Sequence, residues 1–309
     1  MNPLRKSLLW ASARPWLRDR AVRTDFVRRS VRKFMPGETA ADALTAAGAL
    51  QPVGIASILT HLGENLTSLD EATDVRDHYL GVVDDIRVAG LDAQISVKPT
   101  QLGHDQDPEV CFRHCIALIE RCEQTGTFFW IDMESSGYVD GTLALYRRLR
   151  ARSQHVGVAV QSYLRRSDCD VDELIELGAA IRLVKGAYLE APDIAYPKKA
   201  DVDAAFLRLG RRIVDGLDRP GALLHIGTHD VGLQDELREH IGARDLPRER
   251  WEVAMLYGIQ SARQQQLARE GVGIRCLISY GEHWFPWYMR RLAERPANIW
   301  FVARNMMRG

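Results

Sequence analysis

The chain has 309 residues, of which 46% are hydrophobic, and its 41 lysine and arginine residues are matched by 41 aspartate and glutamate residues. This hydrophobic fraction supplies a sizeable core, and the length fits one large α/β domain as well as two smaller ones. The zero net charge argues against a protein that coats nucleic acid, because such proteins carry a basic excess.

The cysteines and the apolar runs indicate the compartment. The five cysteines form no C-x-x-C pair, and Cys111, Cys115 and Cys122 recur at helical spacing, so we interpret them as core or surface thiols. No apolar run reaches the roughly 18 residues that a transmembrane helix needs. We predict a cytoplasmic protein, with peripheral contact on the inner membrane face as an extension of this prediction. The basic residues 1–18 are its candidate contact, and a transit peptide is the alternative interpretation of them.

Residues 1–50 are predicted to form an N-terminal helical arm, and residues 51–309 a single catalytic barrel. Charged and apolar positions alternate with a helical period from Leu4 through Phe34, and an alanine-rich segment follows from Thr39 to Leu50. No strand-like run occurs in this part of the sequence. We therefore expect the arm to pack on or beside the main domain.

From Pro52 onward, short apolar runs alternate with amphipathic segments. The eight runs begin at Val53, Ala93, Thr127, Val156, Ala180, Ala222, Trp251 and Val272. Near-continuous apolar strands are typical of a parallel sheet that is buried on both faces. Two spacers carry helix-start signals: Ser68 and Glu71 have the spacing of a capping box, and Asp107 precedes a proline as an N-cap does, before a helix through Ile119.

Eight strand–helix repeats in about 250 residues predict an α/β fold of the (β/α)8 TIM-barrel type. A doubly wound open sheet is the alternative. No G-x-G-x-x-G follows the first strand and the sequence contains no P-loop, so the barrel is favoured.

Polar or ionisable residues follow most of the runs, where the strand ends of a barrel carry the chemistry. Taken singly, such residues are often N-caps or salt-bridge partners. Arg182 is the least ordinary, because an arginine inside a strand is costly unless something there needs it. The strand-end residues are Glu64, Asn65, Lys98, Asp132, Met133, Glu134, Gln161, Tyr163, Lys185, Thr228, His229, Asp230, Tyr257 and Tyr280.

The motif inventory excludes several chemistries. The sequence has no H-E-x-x-H, and His225 and His229 lack a third ligand at the usual spacing, so we predict no metal site. It has no G-x-S-x-G elbow, which argues against a serine hydrolase. The strand ends of the predicted barrel would together form a mouth that is rich in hydrogen-bond donors and poor in nucleophiles. Such a mouth suits an anionic cofactor whose own chemistry carries out the reaction.

Residues 280–298 predict a short helix near the C-terminus, because one proline suits its first turn and a second proline ends it. Arg290 and Arg291 are adjacent in it, about 100° apart around the axis. They can converge on a carboxylate or phosphate that lies across the helix face. The competing interpretation is a solvated basic stripe with Glu294 as a helical partner.

The motifs resemble those of the flavin-dependent proline dehydrogenase family over residues 64–298. The matching stretches are L-G-E-N from Leu62, S-V-K-P-T-Q-L-G from Ser96, I-D-M-E from Ile131, V-A-V-Q-S-Y-L from Val158, I-R-L-V-K-G-A-Y from Ile181, I-G-T-H-D from Ile226, M-L-Y-G from Met255 and R-R-L-A-E-R-P-A-N from Arg290. Each stretch alone is weak, but eight in order at the strand ends of an independently predicted barrel are highly specific.

The resemblance implies a distorted (β/α)8 barrel that holds FAD non-covalently, with its last helix over the mouth. It implies that Lys98, Arg290 and Arg291 hold the substrate carboxylate, that Asp132 orients Lys98, and that Arg182 reaches flavin N5. Residues implied to wall the substrate ring are Tyr188, Leu256 and Tyr280. Residues implied to line the cofactor are Met133, Gln161, Lys185, Gly186, Ala187, Thr228 and His229.

The implied reaction is the oxidation of L-proline to 1-pyrroline-5-carboxylate by hydride transfer to flavin, the first step of proline catabolism to glutamate. A quinone is the implied electron acceptor, and a separate pyrroline-5-carboxylate dehydrogenase the implied recipient of the product. Trp287 stands where the family usually has tyrosine, which keeps open a related cyclic amino acid such as hydroxyproline. A flavin reductase that uses NAD(P)H and a ligand sensor on an inactive barrel are the other hypotheses.

Overall fold

A computed structural model describes residues 31–63, 66–285 and 288 of the chain. Within these residues, each strand pairs in parallel with the next, and the eighth pairs with the first, so the sheet closes into a barrel. This closure confirms the predicted (β/α)8 fold and excludes the open doubly wound sheet, which would leave two edge strands. The strands are β1 (Ala56–His61), β2 (Ala93–Val97), β3 (Phe129–Ile131), β4 (Val156–Gln161), β5 (Ala180–Val184), β6 (Leu223–Gly227), β7 (Trp251–Leu256) and β8 (Ile274–Tyr280).

In the part of the chain that the structure describes, helix α1 precedes the barrel, and a helix follows each of the first seven strands. The helices are α1 (Ala40–Leu50), α2 (Leu69–Val88), α3 (Pro108–Thr125), α4 (Val139–Arg150), α5 (Ser167–Glu176), α6 (Lys199–Asp215), α7 (Val231–Gly242) and α8 (Ser261–Arg269). None of them, over the described ranges, is both long enough and apolar enough to cross a membrane.

Helix α1 covers the seam between β8 and β1. Its buried face consists of Ala43, Ala46 and Ala47, whose small side chains let the helix approach the strands closely. Thr39 starts it with a capping box, because its hydroxyl accepts from the Asp42 N–H while the Asp42 carboxylate accepts from the Thr39 N–H. Residues 1–30 lie outside the described residues, and the division at residue 50 stays a prediction.

Both predicted helix starts are present, but one capping box is incomplete and one helix is longer than expected. Ser68 accepts from the Glu71 N–H at 3.3 Å, but the Glu71 carboxylate turns to the Thr67 N–H at 2.6 Å, so only half of the expected capping box forms. Asp107 caps α3 as expected. This helix runs past Ile119 to Thr125, because Cys122 extends its buried stripe and Gly126, at a φ of 72°, ends it.

The barrel separates two packed regions. Outward-facing residues of the strands, such as Leu59, Ile95 and Val158, pack against the helices together with Cys111, Cys115 and Cys122 of α3. The three thiols are therefore core residues. Alternate strand residues face inward, and several of these are charged.

Candidate active site

Three polar side chains from three strands meet inside the mouth of the barrel. Arg182 of β5 donates through Nη2 to Ser96 Oγ of β2 at 2.8 Å, and through the same nitrogen to Asp132 Oδ1 just after β3. The Ser96 hydroxyl donates to the same Asp132 oxygen at 2.7 Å. Strands β2 and β3 are neighbours, and the curvature of the closed barrel brings Arg182 of β5 to Ser96 and Asp132 across the interior.

Lys98 is the fourth member of this group. Its Nζ lies 4.0 Å from Asp132 Oδ2, and its side chain is 12% exposed, against 21% for Asp132. At this separation the carboxylate orients the ammonium without sequestering it in a tight hydrogen bond. Lys98 can therefore bind an incoming anion. The structure thus brings together Lys98, Asp132 and Arg182, which the sequence analysis predicted as site residues.

A short turn fixes the backbone that carries Lys98. The Lys98 N–H donates to Gln101 Oε1 at 3.3 Å, and Gln101 Nε2 donates to the His61 carbonyl at 3.0 Å. Two residues after Lys98, Thr100 donates to the two oxygens of buried Glu134 through its N–H (3.2 Å) and its hydroxyl (2.7 Å). Glu134 therefore acts on the site through the position of Lys98.

Arg182 is the most buried cation of the group, with 3% of its surface exposed. Burial lowers the pKa of its guanidinium, and the nearby Asp132 carboxylate opposes this shift. Nη2 donates to both Ser96 and Asp132. Nη1 is buried and has no hydrogen-bond partner among the described residues. A buried donor without a partner is costly, so this atom marks a place where a ligand acceptor fits.

Gln161 at the end of β4 presents the complementary feature. Its Nε2 donates to the Met133 carbonyl at 3.2 Å, which fixes the orientation of the amide. Its Oε1 is buried and, within the described residues, accepts no hydrogen bond. Met133 is itself buried, so its main chain supports the amide. Gln161 therefore offers an unused acceptor, as Arg182 offers an unused donor.

These two atoms suit the flavin that the sequence resemblance implies. An isoalloxazine carries an acceptor at N5 and an N–H donor on its pyrimidine edge, which can satisfy Arg182 and Gln161 respectively. The residues present therefore fit the cofactor, and its binding would remove two buried unsatisfied groups.

Gly186 adopts a φ of 108°, which disfavours any residue with a Cβ. A Cβ at this position would lie 2.2 Å from the Tyr163 ring. We therefore expect Gly186→Ala to lower the free energy of unfolding by about 2 kcal/mol, measured by chemical denaturation. Gly81→Ala in the middle of α2 is the control, since a Cβ there meets nothing within 4 Å and should leave the stability equal or higher. Equal stability of the Gly186 variant and the parent would contradict this prediction.

Lys185 is held by carboxylates. Its Nζ lies 2.6 Å from Asp203 and 3.1 Å from Asp230, and Lys199 at the start of α6 pairs with the same two residues. This cluster ties β5 to α6 and to the segment before α7. Ala187 lies two residues further along the loop after β5 and is partly exposed.

The sixth and seventh strand ends are joined through His229. The Leu256 N–H donates to His229 Nε2 at 3.2 Å, so this nitrogen is the acceptor of the imidazole. The Thr228 carbonyl accepts from Gln234 Nε2 at 2.7 Å, and the Leu256 carbonyl accepts from Gln264 Nε2 at 3.0 Å. Strand register places Leu256 beside Leu277 on the inner face, which suits a residue that walls a ligand.

Tyr188 lies in the loop that follows β5, and polar contacts attach this loop to neighbouring loops at the barrel mouth. Glu190 accepts from both the N–H and the hydroxyl of Ser136 at 2.7 Å. Arg165 donates to the Pro192 carbonyl and stacks 4.6 Å from the Tyr196 ring centroid. These contacts hold the loop near the end of β4.

Tyr280 does not lie with Lys98, Asp132 and Arg182 in the barrel mouth. It has the outward parity of β8, is fully buried, and its hydroxyl lies 2.9 Å from His78 Nε2 of α2. The His61 ring packs 5.2 Å from it, and burial, together with the nearby His78, lowers the pKa of His61 to about 4. Its implied role as a wall of the substrate ring stays a prediction without support from this arrangement. Glu64, Asn65, Trp287, Arg290 and Arg291 lie outside the described residues.

A second charged group lies deeper in the barrel, and the sequence analysis missed it. His225 Nε2 of β6 lies 2.8 Å from Glu252 Oε2 of β7, and Arg275 of β8 joins that carboxylate at 2.5 Å and Asp92 at 2.7 Å. Burial opposes ionisation of Glu252, but His225 and Arg275 outweigh it and lower the pKa of Glu252 to about 2. The missed signal was the charge inside the runs at Glu252 and Arg275.

Burial lowers the pKa of His225 from 6.5 to about 4, although Glu252 opposes the shift. The unfolded chain therefore takes up a proton between these pH values that the folded chain does not, so stability falls as the pH falls through this window. Between pH 7 and pH 4, this proton uptake should lower the free energy of unfolding of the parent by up to about 3 kcal/mol. We expect His225→Gln to abolish this part of the pH dependence. Denaturant titrations across that range test this, and identical slopes for variant and parent would contradict it.

Among the described residues, no three His, Cys, Asp or Glu side chains are grouped to hold a metal ion.

Comparisons with known proteins agree with this geometry. A family model described as proline dehydrogenase matches residues 43–304. The chain is 34% identical to proline dehydrogenase of Deinococcus radiodurans, over 99% of this chain and 98% of that protein. It is 31% identical to proline dehydrogenase 1 of Bacillus subtilis strain 168, over 91% of this chain and 92% of that protein.

A solved structure with a similar fold is proline utilization A (PutA) from Bdellovibrio bacteriovorus, inactivated by N-propargylglycine. It superimposes with a TM-score of 0.80 at 22% sequence identity. The match covers 87% of this chain and 33% of the PutA chain, so this chain corresponds to about a third of that longer protein. At this identity the likeness concerns the fold alone.

Proposed function

Since this chain belongs to the proline dehydrogenase family and is therefore an oxidoreductase that acts on proline, we propose that it holds FAD in the barrel mouth and oxidises L-proline to 1-pyrroline-5-carboxylate. The observation that carries this proposal is the pair of buried atoms without partners in the described structure, Nη1 of Arg182 and Oε1 of Gln161. When bound there, FAD supplies the two-electron acceptor at N5, so no protein group has to change its oxidation state.

The substrate carboxylate is assigned to Lys98. Its ammonium is largely shielded from water, and Asp132 at 4.0 Å orients it. Removing water around such a cation strengthens its attraction for a carboxylate. The proposal includes Arg290 and Arg291 as further carboxylate ligands, on the strength of the sequence alone. Together these cations fix the amino acid in one orientation, which is the main requirement for transfer of a hydride from C5.

Arg182 is assigned the stabilisation of charge. A fixed guanidinium beside the position where negative charge develops lowers the barrier without having to reorganise during the reaction. Asp132 and Ser96 hold Nη2, so Nη1 stays available for the cofactor. Leu256 and Tyr188 are proposed to wall the substrate ring. The amine is proposed to bind unprotonated, so the site needs no strong protein base.

The cofactor contacts are assigned to the strand ends that surround these residues. Gln161 is proposed to meet the pyrimidine edge, supported by its fixed amide. Further proposed contacts are Met133, Lys185, Gly186, Ala187, Thr228 and His229. Lys185 is the contact that the structure favours least, because Asp203 and Asp230 already neutralise its ammonium.

The proposal extends to the partners of the reaction. A quinone is proposed to accept the electrons from the reduced cofactor, and a separate pyrroline-5-carboxylate dehydrogenase to consume the product on the route to glutamate. The protein is proposed to be cytoplasmic and to meet the inner membrane face through its basic residues 1–18. Co-sedimentation with anionic lipid vesicles tests this contact, and loss of binding after removal of residues 1–18 is the expected result.

An anaerobic titration tests the main proposal. The purified protein should take up FAD and become yellow, and L-proline should bleach the flavin absorbance stoichiometrically. Parallel titrations with trans-4-hydroxyproline and pipecolate test the alternative raised by Trp287. Faster bleaching by hydroxyproline than by proline would favour that alternative. A protein that takes up no FAD, or whose flavin is reduced by NAD(P)H and not by proline, would overturn the proposal.

A further inference from the structure

The indole of Trp130 lies directly against Arg182 in the interior of the barrel. The Arg182 Cζ is 5.1 Å from the centroid of the Trp130 ring, within the range of a cation–π contact. Both residues are almost completely buried. This guanidinium therefore has three kinds of neighbour: a carboxylate and a hydroxyl at Nη2, an aromatic ring at Cζ, and the ligand side at Nη1.

The indole is fixed in place by its surroundings. Its Nε1 donates to Gln94 Oε1 of β2 at 2.6 Å. Gly157 of β4 lies opposite in the register, and a Cβ there would lie 2.5 Å from the Trp130 ring, so the ring occupies the space that a side chain would otherwise fill. A hydrogen bond at one edge and a missing side chain beside it determine where the ring lies.

A histidine ring packs against the same indole. The His225 ring centroid lies 4.3 Å from that of Trp130. Burial lowers the pKa of His225 to about 4, so its imidazole is neutral near pH 7. A neutral ring in this position does not repel the Arg182 cation through the indole. The imidazole also lies close to Glu252, with His225 Nε2 2.8 Å from Glu252 Oε2.

This arrangement departs from the usual filling of such a barrel, in which layers of branched aliphatic side chains make a packed core. An aliphatic residue at position 130 would also be apolar, but it would leave the desolvated guanidinium of Arg182 with only Asp132 to compensate its charge. The electron-rich face of an indole attracts a cation more strongly than phenylalanine or tyrosine does. The residue type at this position therefore has an electrostatic explanation.

We propose that Trp130 is a positioning residue that holds the Arg182 guanidinium in place and thereby favours reduction of the cofactor. The inference rests on the proposed function, since it concerns the side chain assigned to stabilise charge on the reduced flavin. Without the indole, the guanidinium gains freedom to turn about its contacts with Asp132 and Ser96. The Nη1 donor then spends less time at the position where the charge develops.

The test compares Trp130→Leu and Trp130→Phe with the parent protein. We expect Trp130→Leu to slow flavin reduction by L-proline roughly 10-fold to 30-fold and leave the dissociation constant of proline within about twofold, because the lost contact acts on Arg182 and not on Lys98. We expect Trp130→Phe, which keeps an aromatic face, to recover most of this loss. A role in packing alone would lower the melting temperature and leave the rate of each flavin-loaded molecule unchanged.

A second readout does not depend on proline turnover. Dithionite titration against a reference dye gives the reduction potential of the bound flavin. We expect Trp130→Leu to weaken the preference for reduced flavin roughly tenfold, which corresponds to about 30 mV for a two-electron couple. Trp251→Leu is the matched control: this partly exposed tryptophan begins β7 on the outer face of the barrel, so its loss should leave the potential unchanged.

Gln94→Met covers the case in which Trp130→Leu does not fold. It keeps the indole and removes the acceptor of its Nε1–H, so we expect shifts in the same direction but smaller. Unchanged potential and rate in Gln94→Met, and in Trp130→Leu where that variant folds, would overturn the inference while leaving the proposed function intact. A parent protein that binds no flavin would overturn the proposed function, and this inference with it.

Discussion

Replacing Arg182 with methionine is expected to slow the reduction of flavin by L-proline by roughly 10²–10³-fold, the cost of removing one preorganised donor from a developing anion. The reason lies in its environment. With 3% of its surface exposed, the guanidinium acts in a water-poor interior where its charge is screened little. Methionine keeps an unbranched apolar stem and removes the guanidinium, so the main change is the loss of the charged donor.

The measurement is the rate constant for flavin reduction in an anaerobic stopped-flow experiment at saturating proline. Arg182→Lys separates charge from geometry, because it retains a cation but loses the planar guanidinium, whose Nη2 contacts Ser96 and Asp132 while Nη1 stays available. Arg148→Met is the matched control: this arginine is 44% exposed on α4 and pairs with Glu109. A rate constant for Arg182→Met within threefold of the parent value would contradict the role of Arg182.

Replacing Asp132 with asparagine is expected to impair both stability and catalysis. Asparagine has the same shape and can still accept from Ser96 and Arg182 through its oxygen, so the main change is the lost charge. Arg182 and Lys98 then lack their shared counter-ion inside the mouth. Breaking a buried pair costs about 3–5 kcal/mol, and since Asp132 is 21% exposed we expect about 3 kcal/mol in the free energy of unfolding.

Catalysis by the same variant should fall through two effects, a weaker proline affinity from a misplaced Lys98 and a slower reduction from a displaced Arg182. Chemical denaturation and anaerobic proline titrations measure them separately. Asp92→Asn is the control, because Asp92 pairs with Arg275 at the other end of the barrel interior and its side chain is 64% exposed. Equal losses in the two variants would mean that Asp132 contributes only as a general counter-ion.

Much of the fold could be predicted from the sequence, because each strand of a doubly covered parallel sheet must be apolar along its length. The runs beginning at Ala93 and Val156 correspond closely to β2 and β4. The segment ends were harder, since α3 runs six residues past Ile119 until Gly126 ends it. Helix length depends there on tertiary burial of Cys122, which a local pattern does not reveal.

The candidate site was predictable where a residue was chemically unusual for its place. Arg182 is such a case, because a charge inside an apolar strand needs an explanation. Ser96 and Trp130 were missed because a small hydroxyl and an aromatic ring look ordinary in a strand, and their importance comes from what they contact across the barrel. Glu252 and Arg275 carried the same signal inside their strands, but they lie outside the motif stretches of the resemblance.

Tyr280 illustrates a second limit. Its place at a strand end suggested the mouth, but strand parity decides which face a side chain takes. Arg275 of β8 contacts Glu252 inside the barrel, so Tyr280, an odd number of positions later, faces outward to His78. The parity was readable from the sequence once Arg275 was assigned to the interior. Such an assignment needs the closed barrel, in which an inward charge has partners on the neighbouring strands.

The most direct test of the account is a crystal structure of the protein loaded with FAD. We expect the Nη1 of Arg182 to lie within hydrogen-bonding distance of flavin N5, about 2.7–3.2 Å, and the Oε1 of Gln161 to accept from the pyrimidine edge. A flavin bound elsewhere in the barrel, with both of these atoms still lacking partners, would contradict it.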